Sequence, residues 1–407
     1  MPNKSYTGQM PFAEFVTLMA MMMSLVALAI DAMLPALALM GDALQVADIN
    51  DVQLVVSVLF LGMAVGQLCY GPASDSFGRR PVMYLGYALF IAGGILCIVA
   101  QDLHVMLLGR FLQGFGLAAP KILTVAIVRD QFSGRDMARV MSFIMVIFIV
   151  IPMIAPVFGQ LILWVADWRY IFVAILVIGL ISLVWFHLRQ PETHPQERRA
   201  EFSFKAISKA FMTVTTDRFA MGYTVMAGIV SGAFVAYLSS SAQVFQQLYG
   251  LGELFPLYFA LLAFAIGFSS YLNGRLVMRL GMQHLTWRAL LILMISSTLC
   301  VVASSYWQGL PPLWLLTLYF ILAFACIGML FSNLNALAME GLGQYAGMGA
   351  AVVGAVSTLL SAIIGVFIGG LFNGTVIPLV AGFAVCAAVG LVMMRWIEAG
   401  RAEVQTS

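Results

Sequence analysis

The chain has 407 residues, of which 62% are apolar and only 9% are charged. A water-soluble protein carries about 25% charged residues, so this chain has too little charge to cover a soluble globule. A formal net charge of +2, with no basic stripe, argues against a nucleic-acid partner. The five cysteines and four histidines lack the spacing of disulfide frameworks or metal sites, so we expect no metal.

Twelve apolar runs follow one another along the chain, and each is long enough to cross about 30 Å of hydrocarbon as a helix. Their limits are 12–40, 50–73, 82–100, 104–127, 138–163, 169–188, 217–240, 254–274, 286–306, 312–334, 346–371 and 375–396. Runs of this length exclude the strands of about ten residues that build membrane barrels. The sequence therefore predicts an all-α polytopic membrane protein.

The basic residues orient these spans. If the amino terminus is cytoplasmic, 17 of the 20 Lys and Arg residues fall in cytoplasmic loops or at cytoplasmic helix ends. Arg169 falls on the opposite side, and Arg110 and Lys121 lie within a span. This asymmetry is the positive-inside pattern, so we expect both termini in the cytoplasm, as an even number of spans requires.

Span one carries Asp31, the only acid that we place deep in a span. An unpaired carboxylate in hydrocarbon is costly, so such acids face cavities, find partners or stay protonated. Arg110 in span four lies at a similar depth, about 9–14 Å below the outer end at 1.5 Å per residue. We expect the two side chains to meet, either as a fixed brace or as a group that takes up and releases protons.

The turn between spans two and three reads GPASDSFGRRP over 71–81. Gly71 lacks a Cβ and allows a neighbouring helix to approach closely. Asp75 and Arg79 are one helical turn apart and can form an ion pair. From the residues alone, such charges at a cytoplasmic turn set the topology.

Two halves are indicated by the polar stretch between spans six and seven and by a weak repeat. The segment NGRLVMRLG at 273–281 stands where a duplicated six-span unit would repeat the first loop. We expect one six-helix bundle over 1–188, a cytoplasmic linker over 189–216 and a second bundle over 217–407.

Lys121 follows Arg110 by eleven residues, which returns it to the same helix face about 16 Å nearer the cytoplasm. Facing a cavity, it would repel cations and favour neutral or acidic substrates. Alternatively, its long side chain reaches the membrane interface by snorkelling. The sequence leaves both alternatives open.

Spans five and eleven show packing patterns. Pro152, Pro156 and Gly159 lie on one side of span five, where prolines remove backbone donors and bend the helix. Span eleven carries a stripe of small residues suited to close packing against Gly71. The stripe consists of Gly354, Ser357, Ser361, Gly365 and Gly369.

Four segments resemble motifs of the major facilitator superfamily, and more narrowly of its bicyclomycin/chloramphenicol-resistance group of drug:proton antiporters. They are IDAMLP at 30–35, GPASDSFGRRP at 71–81, RFLQGFG at 110–116 and PMIAPVFG at 152–159. Gln160 replaces the second glycine that is usual after the last of these. The resemblance runs along nearly the whole chain and implies twelve helices in two pseudo-symmetric halves, in a bacterial inner membrane.

The resemblance also implies roles for individual residues. Proton coupling would fall to Asp31 and Arg110, and sealing of the cavity against ion leak to Pro152, Pro156 and Gly159. A gating latch would comprise Gly71, Asp75, Gly78, Arg79 and Arg80. The motif of span four would place Gln113 and Gly114 at the substrate cavity. Lys121 is not expected from the family pattern, and only its shared helix face with Arg110 places it at the same cavity.

We therefore expect a monomeric drug exporter that works by alternating access, with the proton gradient rather than a cofactor as its energy source. An exporter of an endogenous acidic metabolite or siderophore is the alternative that Lys121 suggests, and an uptake symporter is another. A membrane enzyme or receptor is disfavoured, because the sequence shows no nucleophile–base–acid set and no nucleotide-binding loop.

Overall fold

The computed structural model describes residues 10–199, 204–342 and 346–406. Within these ranges the chain is helical and contains no strand. Twelve of its helical segments are long and apolar enough to cross a membrane. The prediction of an all-α protein with twelve spans is confirmed.

The first half consists of seven helices that form six spans. They are α1 (Phe12–Asp31), α2 (Leu37–Ala43), α3 (Leu54–Phe77), α4 (Arg79–Val99), α5 (Leu103–Gln131), α6 (Gly134–Leu163) and α7 (Arg169–Arg189). The first two share one span, and each of the others forms a span of its own.

The second half repeats this count of six spans after a short helix in the linker. The linker helix is α8 (Phe204–Thr216), and the spans are α9 (Arg218–Ala242), α10 (Phe255–Leu280), α11 (Met282–Tyr306), α12 (Leu313–Met339), α13 (Ala346–Gly370) and α14 (Ile377–Thr406). A π-helical turn, Gln243–Leu248, extends α9 beyond its predicted end.

The first span is not one continuous helix. The apolar run at 12–40 is interrupted where α1 ends at Asp31, and a 3₁₀ turn over Leu34–Ala36 leads into α2. Pro35 has no N–H and cannot bond to the carbonyl of Asp31 four residues earlier, which stops the helix there. Apolarity alone predicts the span but misses this break.

Two single-glycine turns show the internal repeat directly. Gly78 joins α3 to α4 with φ 96° and ψ 162°. Gly281 joins α10 to α11 with φ 78° and ψ 154°. Both conformations lie in a region that L side chains rarely adopt, so each turn requires glycine. The second and third spans of both halves are therefore connected in the same way.

The two halves meet along α13, which lies between α3 and α9. A Cβ on Gly71 would be 3.5 Å from the Cβ of Ala351, an ordinary contact between α3 and α13. Gly354 faces Gln67 of α3, and Gly365 faces Val235 of α9. The predicted packing role of the small-residue stripe is confirmed, with Ala351 rather than a glycine directly opposite Gly71.

Candidate functional site

Asp31 lies at the break in the first span and is 4% exposed. As the last residue of α1, it sits at the negative end of the helix dipole, where a second negative charge is unfavourable. Among the residues that the structure describes, it forms no ion pair. The position combines burial, a helix carboxyl end and unwound backbone, as in the discontinuous helices of secondary transporters.

Gly159 of α6 packs directly on this break. A Cβ built on Gly159 would overlap the carbonyl oxygen of Ala32, the residue after Asp31. The absence of a side chain lets the two backbones touch. The glycine of the span-five motif is thus adjacent to the acid of span one, which the sequence did not predict.

The prolines of that motif lie in the interior of α6, which continues through both of them as one helix. Pro156 cannot donate to the carbonyl of Pro152 four residues earlier. One backbone bond of α6 is therefore missing near its contact with the break in the first span.

Arg110 is completely buried, but it does not form the expected pair with Asp31. Its Nε donates to the carbonyl of Val55 at 2.9 Å, and its Nη2 donates to the carbonyl of Ala29 at 3.0 Å. Its Nη1 donates to Gln113 Oε1 at 2.6 Å. Because its nitrogens are directed to these three oxygens, Arg110 joins α5 to α3 and α1 and reaches the last turn of α1 through its backbone.

Gln113 and Gly114 do not line an open cavity. Gln113 is 0% exposed, and its oxygen accepts from Arg110. A Cβ on Gly114 would overlap the carbonyl oxygen of Leu59, so this glycine brings α5 against the backbone of α3. The motif of span four is a packing device in this structure, which corrects the expectation for these two residues.

Tyr237 of α9 lies in the second half, in the neighbourhood of Asp31. Its helix contacts the 3₁₀ turn that follows Asp31 in the first span. The Tyr237 hydroxyl is buried and finds no hydrogen-bond partner in the described part of the chain. Tyr237 was not predicted as a site residue, although a tyrosine followed by Ser239, Ser240 and Ser241 is an unusual group of hydroxyls within an apolar span.

The ring of Tyr237 belongs to an aromatic cluster in the second half. Its centroid is 4.6 Å from that of Phe324 and 5.2 Å from that of Phe320. Phe245 and Phe259 pack on it at 6.3 and 5.9 Å. The cluster around Tyr237 is therefore closely packed and mostly aromatic.

Lys121 lies on α5 and is half-buried. It forms no ion pair with any residue that the structure describes. Pro120 before it is buried and Ile122 after it is half-buried, so the side chain starts within the bundle and keeps some access to solvent.

The loop between α3 and α4 is held by a compact ion-pair network around Arg79, which is 2% exposed. Its Nη1 donates to Asp75 Oδ1 at 2.6 Å, which confirms the predicted pair, and to Ser74 Oγ at 2.7 Å. Its Nε donates to Asp130 Oδ2 at 2.9 Å. Asp130 follows Arg129 at the end of α5, 51 residues from Arg79, and no local spacing in the sequence predicts this contact.

The linker adds a carboxylate to the same loop. Glu192 accepts hydrogen bonds from the backbone N–H of Arg79 at 3.0 Å and of Arg80 at 2.9 Å. It therefore caps the positive end of α4. Thr193 donates to Asp130 Oδ2 at 3.0 Å. The Arg80 side chain turns away to Tyr84 and to the carbonyl of His187.

On the side opposite the linker, the halves are joined by neutral hydrogen bonds. Gln53 Nε2 donates to Gln243 Oε1 at 2.5 Å, between the start of α3 and the end of α9. Gln246 donates to the carbonyl of Pro35 in the span-one break at 3.4 Å. A pocket of about 190 Å³, lined among others by Gln53, Ser239 and Gln243, lies beside these hydrogen bonds. In the described residues, no group of three or more His, Cys, Asp or Glu side chains could hold a metal ion.

The chain is similar in sequence to known membrane transporters. A family model described as Major Facilitator Superfamily matches residues 12–366. An uncharacterized MFS-type transporter of Bacillus subtilis, YdgK, is 32% identical over 83% of this chain and 84% of its own. A bicyclomycin resistance protein homolog of Haemophilus influenzae is 29% identical over 84% of this chain and 85% of its own.

Solved structures support the fold. The xylose transporter XylE from E. coli aligns with a TM-score of 0.73 at 13% identity and covers 97% of this chain and 99% of its own. The human organic anion transporter MFSD10 aligns with a TM-score of 0.65 at 19% identity, over 96% of this chain and 100% of its own. At these identities, the likeness concerns the fold alone.

Proposed function

The chain belongs to the Major Facilitator Superfamily and is a multi-pass membrane transporter rather than an enzyme, and from this premise we propose that it exports a small molecule in exchange for protons. Relatives named for bicyclomycin resistance and multidrug resistance support a drug or drug-like substrate. We place the protein in the inner membrane of a bacterium, as a monomer with both termini in the cytoplasm.

The observation that carries the proposal is Asp31, which is buried at a helix break between the halves and has no ion-pair partner among the described residues. A charged carboxylate is costly in this environment, so the neutral acid is favoured when water is excluded. When the halves separate and admit water, the charged carboxylate is solvated and its free-energy cost falls. Protonation is thereby linked to the relative position of the halves, as a proton-driven carrier requires.

Tyr237 completes the proposed link between proton and substrate. It is a polar group of the second half in the neighbourhood of Asp31, within an otherwise aromatic surface. We place the substrate between Asp31 and this surface, where a hydrogen-bond donor of the substrate binds the charged carboxylate and thereby displaces the proton. Arg110 acts through the backbone by holding the last turn of α1 in position.

The loop network supports a role in holding one gate. Arg79 links α4 to the ends of α3 and α5, and Glu192 ties the linker to the same point. We propose that the loop of Gly71, Asp75, Gly78, Arg79 and Arg80 stabilises the cytoplasmic side in one conformation. The backbone contact of Gly159 with Ala32 and the prolines of α6 would seal the path beside Asp31.

Transport in everted membrane vesicles tests this function. Vesicles energised to an acid interior should lose part of the pH gradient when substrate is added, and Asp31→Asn should abolish that response. Asp42→Asn is the matched control, because Asp42 is an exposed acid of the same span. If no substrate of a broad drug panel changes the gradient, or if Asp31→Asn responds like the wild type, proton antiport through this residue is wrong.

A second candidate substrate class rests on Lys121. A half-buried ammonium with no ion-pair partner among the described residues favours an anionic substrate, such as an acidic metabolite. Lys121→Met should then weaken transport of anions by about ten-fold and leave cations unchanged or improved. Arg129→Met, an exposed base further along α5, is the control. An unchanged preference in Lys121→Met would show that Lys121 does not select the substrate.

A further inference from the structure

A separate pocket lies at the linker end of the second half, away from Asp31. It has a volume of about 430 Å³ and opens between the junction of α8 with α9 and the last turns of α14. Met221, Val225 and Met393 form its apolar wall, and Thr215 and Thr216 lie at its rim. The transport cycle proposed above uses none of these residues.

Arg218 is the cation of this pocket, and most of its hydrogen-bonding capacity is unused. Its guanidinium lies 4.2 Å from the ring centroid of Trp396, and its Nη2 donates to the Trp396 carbonyl at 2.6 Å. Its Nε is buried and has no partner in the described part of the chain. An arginine carries five N–H donors, and a buried donor without an acceptor indicates a missing ligand or water.

The surroundings hold Arg218 in place. A Cβ on Gly400 would lie 2.6 Å from the Nη1 atom, so this glycine leaves room for the guanidinium. Asp217 is the one acid among the residues that line the pocket, and its Oδ1 accepts from the backbone N–H of Ala220 at 2.7 Å. It forms no ion pair with Arg218. Among the residues that the structure describes, no acid therefore forms an ion pair with Arg218.

The position of the pocket specifies what kind of anion. It lies at the ends of two membrane-spanning helices, beside Trp396, which is 55% exposed. Exposed tryptophan is typical of the headgroup level of a membrane. A cation beside an apolar wall at this level matches a phosphate that carries acyl chains. Basic pockets between helices at this depth bind lipid headgroups, and arginine binds phosphate in a bidentate manner.

We propose that this pocket binds the phosphodiester group of a membrane phospholipid, with Arg218 as the phosphate ligand and one acyl chain along Met221, Val225 and Met393. The lipid would bridge the α8–α9 junction and α14. It would thereby anchor the end of the linker to the second half and to the membrane.

Native mass spectrometry of the purified full-length protein tests the site. With phosphatidylglycerol as the probe, Arg218→Gln should lower the apparent affinity of the tightest-bound lipid at least about ten-fold, in line with the loss of a charge-assisted phosphate contact. Arg288→Gln is the matched control, because Arg288 is an exposed arginine at the same side of the second half. It should bind phosphatidylglycerol like the wild type.

Two further arms identify the ligand and guard against misfolding. Val225→Trp fills the apolar wall and leaves Arg218 in place, so it should also weaken binding. Diacylglycerol, which lacks phosphate, and inorganic phosphate, which lacks chains, should fail to displace the lipid. Undiminished binding in Arg218→Gln overturns the proposal. If Arg218→Gln does not fold, undiminished binding in Val225→Trp overturns the proposal instead. The proposal is also overturned if diacylglycerol or inorganic phosphate displaces the lipid as effectively as phosphatidylglycerol does.

Discussion

The two halves share one architecture but differ in where they place charge. The first half buries Asp31 and Arg110 and encloses Lys121 within its helices. Within the helices α9 to α14 of the second half, every Asp, Glu, Lys and Arg lies toward the linker side, and Glu253, just before α10, is at the opposite end. Its interior offers instead the aromatic cluster around Tyr237.

The same contrast appears where the spans are braced near the linker side. In the first half, Arg79 forms ion pairs with Asp75 and Asp130. In the second half, Asn273 and Asn333 exchange neutral amide hydrogen bonds at 2.9 Å. The first half thus carries charged groups at this position, and the second half carries neutral ones. We propose that the first half binds the proton, whereas the second half contributes no buried charge and acts through the hydroxyl of Tyr237.

The largest effect should follow from replacing the buried cation of the first half. Arg110→Gln cannot reach both Val55 and Ala29, and each lost hydrogen bond to the charged guanidinium is worth about 1.5–3 kcal/mol. We expect a clearly lower melting temperature in detergent and loss of transport. Arg288→Gln, an exposed arginine of the second half, should change stability by less than about 0.5 kcal/mol. If Arg110→Gln melts at the wild-type temperature, Arg110 does not stabilise the core of the first half.

The contact between Gly159 and the break tests the same half through its backbone. Gly159→Val must push α6 away from Ala32, at a cost of about 1–3 kcal/mol for overpacking. We expect transport to fall at least ten-fold, as measured in vesicles at equal expression. Gly274→Val provides the comparison in the second half, because nothing lies within 4 Å of a Cβ there. Equal activity of the two variants would contradict a tight seal beside Asp31.

Tyr237→Phe separates stability from coupling in the second half. It removes a buried hydroxyl that has no hydrogen-bond partner in the described residues, so stability should rise by up to about 1 kcal/mol. Proton-driven transport should nevertheless fall several-fold, whereas Tyr306→Phe, at a residue that is 82% exposed, should change neither. If Tyr237→Phe transports normally, the second half contributes only apolar surface.

The smallest effect is expected at the linker. Glu192→Gln weakens the cap on α4, which is worth about 0.5–1 kcal/mol at a helix amino terminus. The transport rate should change less than about three-fold, and the melting temperature should fall slightly. Glu197→Gln, an exposed acid of the same linker, serves as the reference. A collapse of transport in Glu192→Gln would mean that the linker itself is part of the gate.

The sequence predicted the spans and the loop ion pair because both depend on local spacing. Twelve apolar runs became twelve spans, and Asp75 and Arg79 met one helical turn apart. The pairing of Asp31 with Arg110 was wrong. Equal depth in the membrane does not say which of several carbonyls a guanidinium selects, and Arg110 selected backbone oxygens.

Contacts between distant segments were also out of reach. Glu192 and Arg79 are 113 residues apart, and the approach of Gly159 to Ala32 depends on the break at Asp31. Tyr237 came to lie near Asp31 only through the packing of the two halves. In each case tertiary packing determines the partner, and no local spacing in the sequence predicts it.

Proton release on substrate binding is the most direct test of the central claim, that Asp31 exchanges a proton when substrate occupies the space between the halves. It is measured with a pH indicator on purified protein in weakly buffered detergent solution. The wild type and Asp42→Asn should each release about one proton per bound substrate, and Asp31→Asn should bind substrate and release none. Equal proton release from Asp31→Asn and the wild type would contradict the claim.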